Sequence, residues 1–122
     1  MFSITLLMTL TALKFNGQNP DLLTLVTAAT QAPSGHNSQP WFFTVENNRI
    51  IITPDFTKAL PAVDGKHREL FMSLGCALEN LCLKATELHY HTQVQLTNEG
   101  VITVLLQKRE DVTPSSLAAV IP

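Results

Sequence analysis

Apolar positions recur along this chain in two rhythms, one of helical and one of strand period. Leu22, Leu25, Val26 and Ala29 fall at i, i+3, i+4 and i+7, which is one stripe of a helix. Asn19 stands where an N-cap is wanted, Pro20 takes the first helical position, where its missing N–H costs nothing, and Asp21 suits the positive helix end. Pro33 stops the helix before it. Trp41-Phe42-Phe43-Thr44-Val45 and Arg49-Ile50-Ile51-Ile52-Thr53 are β-rich runs separated by Asn47-Asn48, a two-residue turn signal that tolerates positive φ, so a hairpin is expected.

From Pro54 to Asp64 the chain reads as an extended connection with Pro54 and Pro61 as punctuation. Asp64-Gly65-Lys66-His67-Arg68-Glu69 then opens the longest periodic segment, in which Leu70, Phe71, Leu74, Leu78, Leu81, Cys82, Ala85 and Leu88 keep helical spacing to about Tyr90. Gly75 and Ala77 are small residues in its middle. A glycine inside a helix costs ~1 kcal/mol against alanine, so a close approach of another helix or of a flat ligand is expected at Gly75. Gln93 to Leu96 alternates, Thr97-Asn98-Glu99-Gly100 turns, and Val101 to Leu106 makes a second hairpin, after which Ser115 to Ile121 begins a helix.

This order predicts an α+β fold in a single domain spanning residues 1–122. Antiparallel hairpins form one sheet of four strands, with two or three helices packed on a face. The apolar run from Met1 to Phe15 has no basic residue before it and no small-x-small site after it. It is read as a first helix packing on a partner rather than a secretion signal, and a cytoplasmic chain is expected.

Composition adds a partner. Only 15% of the 122 residues are charged, against roughly 25% in soluble chains, so much surface is open to burial and a homodimer or higher homo-oligomer is expected. Net charge is −2 and the eight Lys and Arg are scattered singly, which leaves no basic stripe for nucleic acid. No window reaches the ~18 to 20 apolar residues that a membrane span requires. Cys76 and Cys82 are six apart; on a helix that places them ~120° around the axis, too divergent for a disulfide, and two buried free thiols are expected. His67, His89 and His91 suggest a metal only on paper: His89 and His91 could share a strand face, but no third ligand sits close in sequence, so no metal is expected. Glu79 lies amid apolar helical positions, where a buried, unpaired carboxylate would be expensive.

The densest chemistry is Pro33-Ser34-Gly35-His36-Asn37-Ser38-Gln39-Pro40, turn-forming and hydrogen-bonding residues that run straight into Trp41. With Ala32 and Trp41 this loop resembles the signature loop of the nitroreductase family of flavoproteins. Arg68-Glu69-Leu70 with Ser73-Leu74-Gly75-Cys76-Ala77-Leu78-Glu79-Asn80-Leu81 resembles the central helix of that family's longer, two-lobed branch. The two motifs cover roughly Asp21 to Tyr90 in the family's order. The resemblance implies an FMN-dependent NAD(P)H oxidoreductase that reduces quinone-like or nitroaromatic small-molecule acceptors, dimeric because the family builds its flavin sites at the subunit interface. It also implies that Ser34, Asn37 and Gln39 lie at the flavin ring.

The residue types suit that role. A flavin's pyrimidine edge alternates acceptors with one N–H donor, and Asn37 and Gln39 carry amides that both give and accept. Ser34 adds a hydroxyl, Gly35 allows close approach to a planar ring, and Pro33 and Pro40 preorganise the loop. Arg68 is a candidate for an anionic group, or for an ion pair with Glu69 or Asp64. The side chains of Ser34, Asn37 and Gln39 could equally serve backbone groups at a helix-to-strand junction. Trp41 is expected in the core under the hairpin, and His36 on the exposed loop. No side-chain acid or nucleophile is required, because the cofactor carries the chemistry.

Two departures from the family stand out. Its members typically bring an Arg-rich segment near the N-terminus to the flavin phosphate, whereas the first twenty residues here hold only Lys14. They also run to about twice this length, so the chain resembles a first half. The alternative function is therefore a non-catalytic, self-associating remnant of the fold that holds no flavin.

Overall fold

The computed structural model describes residues 13–16 and 19–121. Among these, seven elements carry the fold: β1 (Leu13–Phe15), α1 (Pro20–Thr30), β2 (Trp41–Val45), β3 (Arg49–Pro54), α2 (Arg68–Glu87), β4 (Tyr90–Leu96) and β5 (Ile102–Lys108), with short 3₁₀ turns at Gly35–Asn37, Phe56–Lys58 and Ser116–Val120. The strands form one five-stranded sheet in the order β1-β2-β3-β5-β4. All neighbours are antiparallel except β1, which runs parallel to β2 with Leu13 opposite Phe43.

Alternation decides which side of the sheet the helices cover. Phe43 pairs with Ile52, Val45 with Ile50, and Ile50 with Val104; all five are buried, so the register lines one face with apolar side chains. On that face Leu22, Leu25, Val26 and Ala29 of α1 meet Leu70, Leu74, Ala77, Leu81 and Ala85 of α2 in one core cluster. Trp41 is 1% exposed within it, as its position under the hairpin predicts.

The start of α1 follows its sequence signals. Asn19 Oδ1 accepts from the Asp21 N–H at 3.0 Å, and Pro20 opens the helix. Asn19 Nδ2 also donates to Tyr90 Oη at 2.7 Å, and Tyr90 donates to Asp21 Oδ2 at 2.9 Å, which ties α1 to β4. Burial pushes the Tyr90 hydroxyl above its ordinary pKa; Asn19 opposes the shift, while Asp21 reinforces it.

Several expectations are corrected. Leu13–Phe15, placed at the end of a first helix, is a strand beside β2, while residues 1–12 lie outside the described part. The sheet has five strands and not four. The long helix ends at Glu87, because His89 takes a left-handed φ of 62° and Tyr90 already pairs with Lys108. Neither Asn47 nor Asn48 uses a positive φ; the Glu46 N–H closes that turn on the Arg49 carbonyl at 3.0 Å. The C-terminal helix is a 3₁₀ turn. Glu79 is exposed on α2.

Candidate functional site

The Pro33–Pro40 loop is held by its own backbone and by three outside anchors. Asn37 N–H donates to the Ser34 carbonyl and Ser38 N–H to the Gly35 carbonyl, each at 3.0 Å, and Gln39 N–H donates to Ser34 Oγ at 3.0 Å. Outside the loop, Gly35 N–H donates to Ser73 Oγ at 3.3 Å, Lys58 Nζ to the Gln39 carbonyl at 3.5 Å, and Asp55 N–H to the Pro40 carbonyl at 2.9 Å. His36, Asn37 and Gln39 have φ of 51°, 53° and 50°. Left-handed backbone disfavours side chains with a Cβ, Asn least. Three such residues within four positions mean that the surroundings impose the loop's shape, and clusters of this kind gather at functional sites.

The loop stands over the first turns of α2. Pro33, Ser34 and Gly35 form one wall of an open cleft of about 360 Å³, and Glu69, Met72, Ser73 and Cys76 form the other. These four α2 residues fall at i, i+3, i+4 and i+7, so they are a single stripe beside the buried one. At Gly35 the walls close in: a Cβ there would stand 2.9 Å from Glu69 Oε2 and 3.7 Å from Leu60 Cδ1.

The start of α2 is fixed by Asp64, which the sequence reading set at the opening of this segment and offered as a partner for Arg68. Asp64 is buried and its carboxylate accepts from the Glu69 N–H at 3.0 Å and the Leu70 N–H at 2.9 Å. Burial alone would raise its pKa, but the amides of Glu69, Leu70 and Arg68, with a smaller contribution from His67, hold it below the ordinary carboxylate value. His67, the residue before the helix, has a left-handed φ of 59° and packs edge-on against Phe56 with ring centroids 5.1 Å apart.

Of the predicted site residues, Pro33, Ser34 and Gly35 line the cleft. Asn37 and Gln39 do not line it; Gln39 Nε2 donates to Asn37 Oδ1 at 3.4 Å. Asn37 is exposed and Gln39 half-buried. Among the described residues this leaves Asn37 Nδ2 as a free donor and Gln39 Oε1 as a free acceptor, while the Ser34 hydroxyl is partly engaged with the loop. Arg68 is exposed outside the cleft and makes no ion pair among the described residues, and Asp64 serves backbone amides.

Two further expectations fail. Cys76 is exposed because its position falls on the cleft stripe, while Cys82 is half-buried, with burial pushing its thiol pKa up. Among the described residues no helix crosses tightly at Gly75: a Cβ there meets no heavy atom within 4 Å. It lies on a second groove, of about 380 Å³, bounded by Phe71 and Leu78 of α2 and by Val94, Leu96 and Ile102 of the last hairpin. The helical reading followed apolar spacing, so it passed over Glu69, Met72 and Cys76, whose stripe mixes polar and apolar types. Lys58, in the connection after β3, was missed for want of any motif. No group of His, Cys, Asp and Glu among the described residues is arranged to hold a metal ion. No helix among them is long and apolar enough to cross a membrane.

The loop suits a flavin ring by its donor and acceptor inventory. The free amide groups of Asn37 and Gln39 and the Ser34 hydroxyl match an edge that alternates acceptors with a donor. Gly35 has no side chain to hold a planar group away from the α2 wall.

No protein-family model matches the chain. An uncharacterised protein of Mycobacterium tuberculosis, found in strains H37Rv and CDC 1551, is 30% identical over 73 residues, covering 57% of this chain and 21% of that protein. The match thus spans about a fifth of that relative's length. Two solved structures are similar. One, from Thermotoga maritima MSB8 and assigned as a nitroreductase, has a TM-score of 0.55 at 23% identity over 74% of this chain and 38% of its own. The other, from Clostridium acetobutylicum and assigned as an NADH oxidase, has a TM-score of 0.62 at 17% identity over 80% of this chain and 82% of its own. The chain therefore has a nitroreductase-like fold, an α+β sheet with two helices on one face and the polar loop at the junction of α1 and β2.

Proposed function

We propose that this chain is the flavin-binding part of an oxidoreductase of nitroreductase type, holding FMN, drawing on NAD(P)H and reducing quinone-like or nitroaromatic small-molecule acceptors as a homodimer. The observation that carries the reading is the strained polar loop standing over one stripe of α2, with free donor and acceptor groups on its surface. The names of the two structural neighbours, a nitroreductase and an NADH oxidase, support the same class.

In this reading Ser34 meets the ring edge from the cleft wall, Asn37 and Gln39, which do not line the cleft, meet it from the adjoining part of the loop, and Gly35 lets the ring approach the loop backbone. When bound, FMN supplies hydride chemistry, accepting from a reduced nicotinamide and passing electrons to the acceptor. The chain's own share is orientation and water exclusion: Pro33 and Met72 offer apolar surface on opposite walls of the cleft, and Glu69 sets a carboxylate at its edge. Lys58, whose Nζ reaches the Gln39 carbonyl, and Arg68, exposed at the start of α2, are candidate cations for an anionic group.

The experiment is a titration of the purified chain with FMN, followed by visible absorbance and quenching of flavin fluorescence, then reduction by NADH or NADPH under anaerobic conditions. Saturable binding and bleaching of the bound flavin are expected. A chain that leaves FMN spectroscopically free at millimolar concentration overturns the reading in favour of a self-associating module without flavin.

A further inference from the structure

Besides Tyr90, whose hydroxyl ties α1 to β4, three polar side chains are buried among the described residues: Thr30, Asp64 and Ser73. Thr30 returns its hydroxyl to its own helix, on the Thr27 carbonyl at 2.7 Å, and Asp64 caps α2. Ser73 does something different. Its Oγ donates to the Glu69 carbonyl one turn back at 2.8 Å and accepts the Gly35 N–H, from the loop, at 3.3 Å.

The helix gains nothing from this serine. A hydroxyl bonded back to the i−4 carbonyl slightly destabilises a helix, and position 73 lies on the packed side of α2, beside Leu70, Leu74 and Ala77, where an apolar residue would bury more surface at no polar cost. At 4% exposed, the hydroxyl has traded water for two protein partners. Its loop partner begins the 3₁₀ turn that leads into His36, Asn37 and Gln39, the left-handed residues. Gly35 faces Ser73 and Glu69 across the cleft, where the space for a Cβ closes to 2.9 Å from Glu69 Oε2.

We propose that Ser73 is a positioning residue for the flavin cleft: its hydroxyl pins the Gly35 peptide to α2, and so sets both the spacing of the two walls and the direction in which Asn37 and Gln39 present their amides. The inference rests on the functional reading above. It assigns to a buried position of α2 a role toward the bound ring.

The test compares wild type with Ser73→Ala and Ser73→Thr. The first removes the hydroxyl and the second keeps it. FMN affinity is taken from the fluorescence titration, the visible circular dichroism of the FMN-saturated protein reports ring orientation, and amide hydrogen exchange at Gly35 reports the pin itself. Ser73→Ala is expected to weaken FMN binding at least tenfold, to change the visible dichroism at saturation and to speed exchange at Gly35, with Ser73→Thr restoring all three. A Ser73→Ala protein with wild-type affinity and dichroism overturns the proposal, as does a lowered melting midpoint with the bound-state dichroism unchanged, which is what a merely structural serine gives. A wild type that binds no FMN overturns the functional reading and takes this inference with it; a wild type that binds while Ser73→Ala binds equally well overturns this inference alone.

Discussion

Replacing Gly75 by alanine should stabilise the protein. The residue lies in the interior of the twenty-residue helix α2, and an ideal Cβ built on it finds no heavy atom within 4 Å. Overpacking therefore contributes nothing in the single chain. What remains is backbone: glycine loses more conformational freedom on entering a helix than alanine does, worth roughly 0.5–1 kcal/mol. For a domain of this size that corresponds to a rise on the order of 2–5 °C in Tm. The assay is urea denaturation followed by far-ultraviolet circular dichroism at two protein concentrations, with a thermal melt beside it. The midpoint should move up while the slope stays the same, since the surface exposed on unfolding is almost unchanged. A midpoint that falls refutes the reasoning and means that a surface outside the chain, such as a second copy, sits against Gly75. A loss of stability that grows with protein concentration identifies that surface as the partner.

Asn37→Ala should weaken FMN binding by about 1–3 kcal/mol, roughly ten- to a hundredfold, while leaving the melt nearly unmoved, because the side chain is exposed and its recorded partner is Gln39; unchanged affinity with a lowered melt would show that it serves the fold instead. Trp41→Ala, in the core at 1% exposure, should cost about 3–5 kcal/mol in urea unfolding, and a smaller loss would mean that the cavity collapses. Asp64 has a folded pKa held below the ordinary value, so its stabilisation is complete above the unfolded carboxylate pKa and is lost as pH falls through the lower folded one. Asp64→Asn should accordingly flatten the acid limb of a stability-against-pH curve, and an acid limb identical to wild type would exclude Asp64 from it.

Where a structural decision rests on neighbours in sequence, it was legible. Asn19, Pro20 and Asp21 start α1 because capping, proline's fixed φ and the helix dipole act within one turn. The alternation of Trp41, Phe43 and Val45 against Ile50 and Ile52 sorts β2 and β3 into a covered and an open face, since strand side chains reverse at every residue. The Pro33–Pro40 loop announced itself by concentrating turn-forming and hydrogen-bonding residues in a chain poor in both, and three of its residues do line the cleft.

Contacts between distant segments were decided only by the tertiary structure. Leu13–Phe15 is a strand because β2 offers it a free edge, a fact absent from its own apolar run. Asp64 became a helix cap because the turn before α2 brings its carboxylate to the amides of Glu69 and Leu70, while Arg68 stays exposed. Gly75 looked like a crossing point from its cost alone, but whether space beside a helix is filled depends on what folds against it, and within this chain it is open. Glu69, Met72, Ser73 and Cys76 share a helical spacing, yet their meaning comes from a loop 38 positions away from Ser73 whose amide needs an oxygen there. Local periodicity sets which residues share a face; only packing determines what each face meets.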